Sequence, residues 1–277
     1  MDFDKRLLSV CGLFVCLFFF FIVWDVFGAG KEGKVDEVKF LPGAEVRVDD
    51  DNERIGDSHF LVYVPSDYME EKDWPVIFCY HGQSGQPTTW PFRQVTDGKG
   101  FIIIGMGYVE GGEGKMSRSQ YINYVKRERR SILEVVRYVR KRLRVDEERL
   151  FVTGYSKGGW HSSLMLESSP RVWAGAVIFA AGRSRYVNLV TSAANKKALQ
   201  GKAIYIGAGE KDVNMSSARK ATTYYRRLGA EVTFEEFKGE GHSFDPAESE
   251  ILRDWLRANG CASDSKSEQA DEEADVD

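Results

Sequence analysis

The chain has 277 residues, 43% hydrophobic and 13% aromatic, which is enough for one sizeable core and short of two comfortable domains. Its formal net charge of -4 gives no ground for nucleic acid as a partner. Of the cysteines, Cys11 and Cys16 lie in the apolar N-terminus, leaving Cys79 and Cys261, too few for a disulfide framework.

In chain order, Lys5 and Arg6 precede an apolar run from Leu7 to Trp24, and the small residues of "FGAG" follow. A positive start, an apolar middle and small residues after it describe an export signal. The run also reaches the length that can span a bilayer. Residues 1–30 are therefore expected to be a cleaved signal peptide or an uncleaved transmembrane anchor, the membrane being a partner in the second case. Either way the bulk of the chain is expected outside, secreted or periplasmic or tethered, because Lys5 and Arg6 favour the inside.

"HFLVYVP" (59–65) alternates and stops at proline, a half-buried strand. "PVIFCYHG" (75–82) and "GFIIIGMGY" (100–108) are continuous apolar runs ended by glycine, as expected of strands buried on both faces, with Cys79 a small buried apolar residue. "QSGQPTTWPF" between them has loop chemistry. From about Ser119 to Arg144, Val125, Ile132, Val136, Val139 and Leu143 recur among charges, an amphipathic helix with a solvated basic face. "RLFVTG" reads as a strand, "KGGWHSSLMLESS" as a helix, and "AGAVIFAAG" (174–182) and "KAIYIGAG" (202–209) as further buried strands. "SSARKATTYYRRLG" (216–229) is a helix closed by glycine, "EVTFEEF" alternates, and "PAESEILRDWLRANG" is a last helix opened by proline. From Ala262 the chain is acidic and small, and residues 261–277 are expected to be a disordered tail.

Strand–helix alternation implies an α/β fold, a mostly parallel central sheet with helices on both faces, over residues 31–260. Ligands bind at the carboxyl ends of such strands, so the residues just after strands carry the argument. Ser156 follows "RLFVTG" inside Gly154-x-Ser156-x-Gly158, His81-Gly82 ends "PVIFCY", Asp212 follows "KAIYIGAGEK", and His242 follows "EVTFEEFKGEG". A serine hydroxyl is a poor nucleophile and needs an adjacent base. An imidazole can take its proton near neutrality, and a carboxylate holds the imidazole's tautomer. A tight strand–turn–helix needs glycines, and it places Ser156 where the backbone N–H of Lys157 can bind an oxyanion. A second N–H must come from the loop after the third strand. Gln83 in "HGQSG" is the first choice and Ser84 the second, with His81 and Gly82 supporting that loop.

On these residues the chain resembles the α/β-hydrolase superfamily over roughly His59 to Asn259. "YHGQSG", "GYSKGG", "GEKD" and "GEGHSF" are most similar to exported esterases related to polyhydroxybutyrate depolymerases and feruloyl or acetylxylan esterases, and to the carboxylesterase–phospholipase group. The resemblance implies a serine hydrolase working through an acyl-enzyme on small or polymer-attached esters, with no cofactor. It places the triad on Ser156, Asp212 and His242, and favours Asp212 over Glu210 as the acid. Two features depart from it: Lys157 follows the nucleophile where a neutral residue is more familiar, and the stretch from Gly182 to Lys202 is too short for a large cap. "GYSKGGW" also resembles the elbow of prolyl-oligopeptidase-like enzymes, so a serine peptidase is an alternative, and a non-catalytic hydrolase-fold binding protein another.

Other candidates are weaker. The histidines show no metal spacing, so no metal is expected. Met116 stands where a phosphate loop wants Ser or Thr in "EGGEGKMS". Asp146 reads as a turn residue, His59 as a strand-edge residue, and His161 as a helix residue with an ordinary hydrogen bond. Trp90, Trp160 and Trp173 are read as core aromatics, with Trp90 a possible wall of the site.

Overall fold

The computed structural model describes residues 39–49, 59–109 and 116–260. The apolar run from Leu7 to Trp24 and the acidic tail lie outside the described residues. Among those described, no helix is long and apolar enough to cross a membrane.

Eight strands form one sheet: β1 (Glu45–Asp49), β2 (His59–Tyr63), β3 (Trp74–Tyr80), β4 (Ile102–Met106), β5 (Val145–Tyr155), β6 (Gly175–Phe179), β7 (Ala203–Gly209) and β8 (Glu231–Phe237). Their spatial order is β1-β2-β4-β3-β5-β6-β7-β8. β2 is antiparallel to both neighbours, and every pair from β4 to β8 is parallel. The fold is therefore the mixed, mostly parallel sheet of an α/β hydrolase. The continuous apolar runs behave as a doubly covered sheet requires, with β3, β4, β6 and β7 buried along their whole length. β8 is the outer parallel strand, and its alternating sequence leaves it half-buried.

Six helices are described: α1 (Phe92–Val95), α2 (Arg118–Arg140), α3 (Lys157–Ser168), α4 (Ala193–Lys197), α5 (Met215–Arg227) and α6 (Glu250–Gly260). Ile77, Cys79, Phe151, Val177 and Tyr205 cover one face of the sheet and pack with Phe92 and Val95 of α1 and Leu252, Trp255 and Leu256 of α6. Side chains of opposite parity, Phe78 and Tyr80, meet Trp173 and His161 on the other face. α2 opens with a capping box: the Ser117 hydroxyl accepts from the Gln120 N–H, and the Gln120 side chain accepts from the Ser117 N–H. Its apolar stripe, including Val125, Ile132, Val136 and Val139, is buried while Lys126, Arg129 and Arg130 are exposed, the solvated basic face that the spacing implies.

Three local expectations change. Asp146 lies inside β5, not in a turn, because a register shift between Trp74 and Val76 lets β5 begin pairing at Val145. Its carboxylate accepts from the Glu148 N–H at 2.8 Å and from Arg149 at 2.6 Å. The last helix is split: Pro246–Glu248 form a 3-10 turn, Ser249 is extended, and its hydroxyl accepts from the Leu252 N–H at 3.0 Å to start α6. β1, short and charged, was not foreseen, since its exposed edge shows little apolar pattern.

Candidate active site

β5 ends between β3 and β6, with Gly154 opposite Tyr80 on one side and Ile178 on the other. The chain turns straight into α3, and Ser156 at that turn has φ 54° and ψ −111°. A non-glycine residue at positive φ is strained, and such strain concentrates at functional turns. Neighbouring backbone leaves no room for side chains around it. A Cβ on Gly154 would come within 2.4 Å of the Gly158 carbonyl carbon, and one on Gly158 within 2.2 Å of the Tyr80 oxygen. The Ser156 N–H donates to the Phe179 carbonyl at 2.9 Å, carrying the ladder one residue past the strand.

Asp212 follows β7 and His242 follows β8, so both come to the sheet edge that carries Ser156. Their loops are stitched together: the Lys211 N–H donates to the Glu240 carbonyl at 2.7 Å, and the Gly239 N–H donates to Glu210 Oε2 at 2.8 Å. The Ser156 hydroxyl lies 2.8 Å from Nε2 of His242, and Nδ1 of His242 lies 2.9 Å from Oδ1 of Asp212. A carboxylate only accepts, so Nδ1 carries the hydrogen and Nε2 is left to accept from the serine. The Asp212 side chain is fully buried, while that of His242 is 39% exposed. Asp212 Oδ1 also accepts from the Asn214 N–H at 2.8 Å, and Asn214 in turn donates to the Ala180 carbonyl at 2.9 Å. The carboxylate is thus held on a braced turn, and its partner faces solvent. Glu210 points away to Gly239, and of the two acids it is Asp212 that meets His242.

The loop after β3 passes over Ser156. A Cβ on Gly82 would stand 3.9 Å from that of Ser156. Nδ1–H of His81 donates to the Gly82 carbonyl at 2.6 Å, and the Tyr108 hydroxyl donates to the His81 carbonyl at 2.5 Å. The Gly85 N–H donates to the Gly82 carbonyl at 3.2 Å, closing a turn with Ser84 at φ 60° and Gln83 exposed. His81 and Gly82 therefore brace the loop, with Gln83 next in line. Lys157 begins α3, where main-chain N–H groups have no acceptor within the helix. Its ammonium sits 4.2 Å from the centre of the Tyr108 ring. A cation on an aromatic face is favourable, which accommodates the unusual lysine.

Sequence reasoning missed Tyr155. Its hydroxyl donates to the His242 carbonyl at 2.6 Å and accepts from the Phe244 N–H at 2.9 Å. Burial pushes its pKa up to about 12, so it stays a hydroxyl through the working range. The available signal was its place next to Ser156 at the strand's end. His161 is also not the ordinary helix residue expected. It is buried, its Nε2 is 3.6 Å from the fully buried Glu128 Oε2, and its ring packs 4.4 Å from that of Tyr80. Trp173 is core, as read, while the Trp90 ring lies 5.7 Å from that of Tyr155, at the site's wall.

The sheet order, the strained serine turn and the loops that end at it define an α/β hydrolase. A profile of the dienelactone hydrolase family matches residues 113–276, more than half the chain, and the chain belongs to that family. No curated protein sequence matches it. Among solved structures it is similar to a ferulic acid esterase of Anaeromyces mucronatus in complex with ferulic acid, at 15% identity and a TM-score of 0.55, covering 82% of this chain and 93% of that one. It is similar to an S-formylglutathione hydrolase of Agrobacterium tumefaciens at 14% identity and a TM-score of 0.56, covering 80% and 96%. A fluorophosphonate-binding serine hydrolase of Staphylococcus aureus, substrate bound, matches at 18% identity and a TM-score of 0.56, covering 79% and 98%. At these identities the likeness is one of fold. The stretch from Gly182 to Lys202, where a cap would insert, holds a 3-10 turn (Val187–Leu189) and the five-residue α4. Arg183 ties it down through two bonds to the buried Glu167, at 2.6 and 2.8 Å.

Proposed function

We propose that the chain is a serine carboxylic-ester hydrolase. The observation that carries this reading is the continuous hydrogen-bonded line from Ser156 through His242 to Asp212, at 2.8 and 2.9 Å, starting at a strained turn. As Ser156 Oγ bonds to the ester carbonyl carbon, His242 Nε2 takes its proton and Asp212 stabilises the imidazolium. The N–H groups of Lys157 and Gln83 hold the oxyanion, in a loop supported by His81 and Gly82. Collapse breaks the bond to the alcohol, which leaves with the proton from His242. Water then attacks the acyl-enzyme by the same route and releases the acid. No step calls on a cofactor.

The alcohol side of the site is open, because His242 is partly exposed and the cap position is short. Small esters and esters attached to bulky or polymeric alcohols are therefore both proposed substrates. Export is proposed as well, from the charged and apolar pattern of residues 5–24. An intact mass starting near Ala29 to Lys31 would mark a cleaved signal, and one starting at Met1 a retained anchor. A full-length soluble cytoplasmic protein would rule out both.

Ser156→Ala tests the chemistry. Ester hydrolysis and fluorophosphonate labelling should both vanish while the melting temperature holds, since a half-buried hydroxyl contributes little packing. Turnover close to wild type would assign the attack to another residue.

A further inference from the structure

A cavity of about 110 Å³ lies beside the nucleophile, walled by Cys79, Trp90, Phe92, Tyr155 and Phe179 and roofed by Gly82. We propose that it is the acyl pocket, and that it selects short aliphatic acids, from acetyl to about butyryl. This rests on the serine-esterase reading.

Four observations support the assignment. Gly154 and Tyr155, which line the cavity, lead directly into Ser156, and Gly82, also in its lining, is the serine's neighbour across the cleft. The leaving oxygen must lie near His242 Nε2 to receive its proton, and that side is the exposed one. The alcohol therefore takes the open side and the acyl group the recessed one. The walls are mostly apolar, with His81 and Thr88 the polar residues among Cys79, Trp90, Phe92 and Phe179: burial pushes the Cys79 thiol up to about 12, and its hydrogen is committed to the Trp90 carbonyl at 3.2 Å. An uncharged lining of this kind suits a hydrocarbon and penalises a carboxylate or hydroxyl. Size sets the limit. An apolar cavity of about 150 Å³ takes benzene. The smaller space here holds a few carbons and excludes a substituted cinnamoyl group. Specificity then differs from that of a ferulate-binding relative through this pocket, on a shared fold.

Phe92 and Phe179 belong to the packed core, whereas Trp90 is only partly buried and comes from a loop. Trp90 is therefore the wall that sets the depth, and Cys79 a floor that can be raised.

The test is a ladder of p-nitrophenyl esters from acetate to octanoate, below their micelle concentrations, on the full chain. Each ladder is referenced to that variant's own acetate value, and a thermal melt reports its folding. For the wild type, kcat/KM should rise by about fourfold for each methylene buried and level off near butyrate. Trp90→Ala should carry the rise to longer acids. Cys79→Met should flatten the ladder from acetate onward, so the two variants move it in opposite directions. Phenyl-substituted acyl esters should gain with Trp90→Ala only. A wild-type ladder that climbs steadily to octanoate, or folded variants whose ladders overlie the wild type, would overturn the pocket. Fluorophosphonate labelling of the wild type separates the two readings. A labelled protein with unmoved ladders disproves the pocket alone, and an unlabelled one disproves the esterase beneath it.

Discussion

Ser156 and His242 are partners in one hydrogen bond, yet the molecule fixes them by different means. The serine stands at the centre of the sheet, on a turn enclosed by backbone atoms of β3, β6 and α3. Its position is a property of packing, and any displacement runs into carbonyl groups. The histidine hangs from a loop beyond the outermost strand, partly in water, and is positioned by a handful of polar bonds. Packing is unforgiving, and even one added methyl is felt through the backbone around it. Polar tethers are individually worth about 0.5–1.5 kcal/mol and can be removed one at a time. Under the proposed chemistry, Ser156 should therefore be broken through the fold, and His242 through single bonds.

The largest effect on the base side should come from its carboxylate. Asp212→Asn leaves the turn to Asn214 and Ala180 in place but offers Nδ1 an amide. The imidazole then loses its tautomer control and its charge partner. Turnover should fall by about 10⁴-fold, as in the template triad. Glu210→Gln changes a carboxylate of the same loop that accepts from the Gly239 N–H, a bond the glutamine oxygen can also accept, and its cost should be small. Steady-state kinetics of the two variants, with melts to confirm folding, would decide it. The reverse ranking would move the acid to Glu210.

On the nucleophile side the expected damage is to stability. Gly158→Ala forces a methyl to within 2.2 Å of the Tyr80 carbonyl oxygen, where backbone must move to admit it. Overpacking of this sort costs about 1–3 kcal/mol and occasionally more. Thermal or urea unfolding should show the loss, and activity should fall with it as the turn shifts. An unchanged melt would mean that the turn is softer than its contacts imply.

That contrast also explains what could be read in advance. The buried strands declared themselves as apolar runs, and Ser156 as a serine among glycines, because both follow from local sequence and one sheet rule. Asp212 and His242 followed from their places after β7 and β8. Gln83 and Lys157 were proposed by the same rule, and the structure sets Gln83 exposed in the loop after β3 and Lys157 at the start of α3. Tyr155 was invisible, because its role depends on a loop 87 residues away meeting its hydroxyl. His161 was misjudged for a similar reason: its partner Glu128 sits on another helix, and nothing in either local pattern announces the pairing. Asp146 went wrong through a register shift, which sequence periodicity does not encode.

Tyr155→Phe is the smallest perturbation and isolates a single tether. The phenyl ring keeps the contacts of the tyrosine ring, 5.2 Å from Phe244 and 5.7 Å from Trp90. Only the hydroxyl is lost, and with it the donor to the His242 carbonyl and the acceptor for the Phe244 N–H. Water can satisfy the carbonyl of the half-buried His242, whereas Phe244 is buried, and the stability loss should be at least about 1 kcal/mol. For a domain of this size that is a fall of about 2–4 °C in melting temperature. The effect on catalysis should be larger in kcat than in KM, since the tether acts on the base rather than on substrate binding. A loosened His242 spends less time within reach of the serine proton, and a loss of about tenfold in kcat corresponds to about 1.4 kcal/mol of positioning. If kcat holds while the melting temperature drops, the bond is only structural, and Asp212 together with the Lys211–Glu240 backbone bond suffices to place the base. If both fall, the residue beside the nucleophile also holds the loop of its base, and the two regions are joined through one hydroxyl.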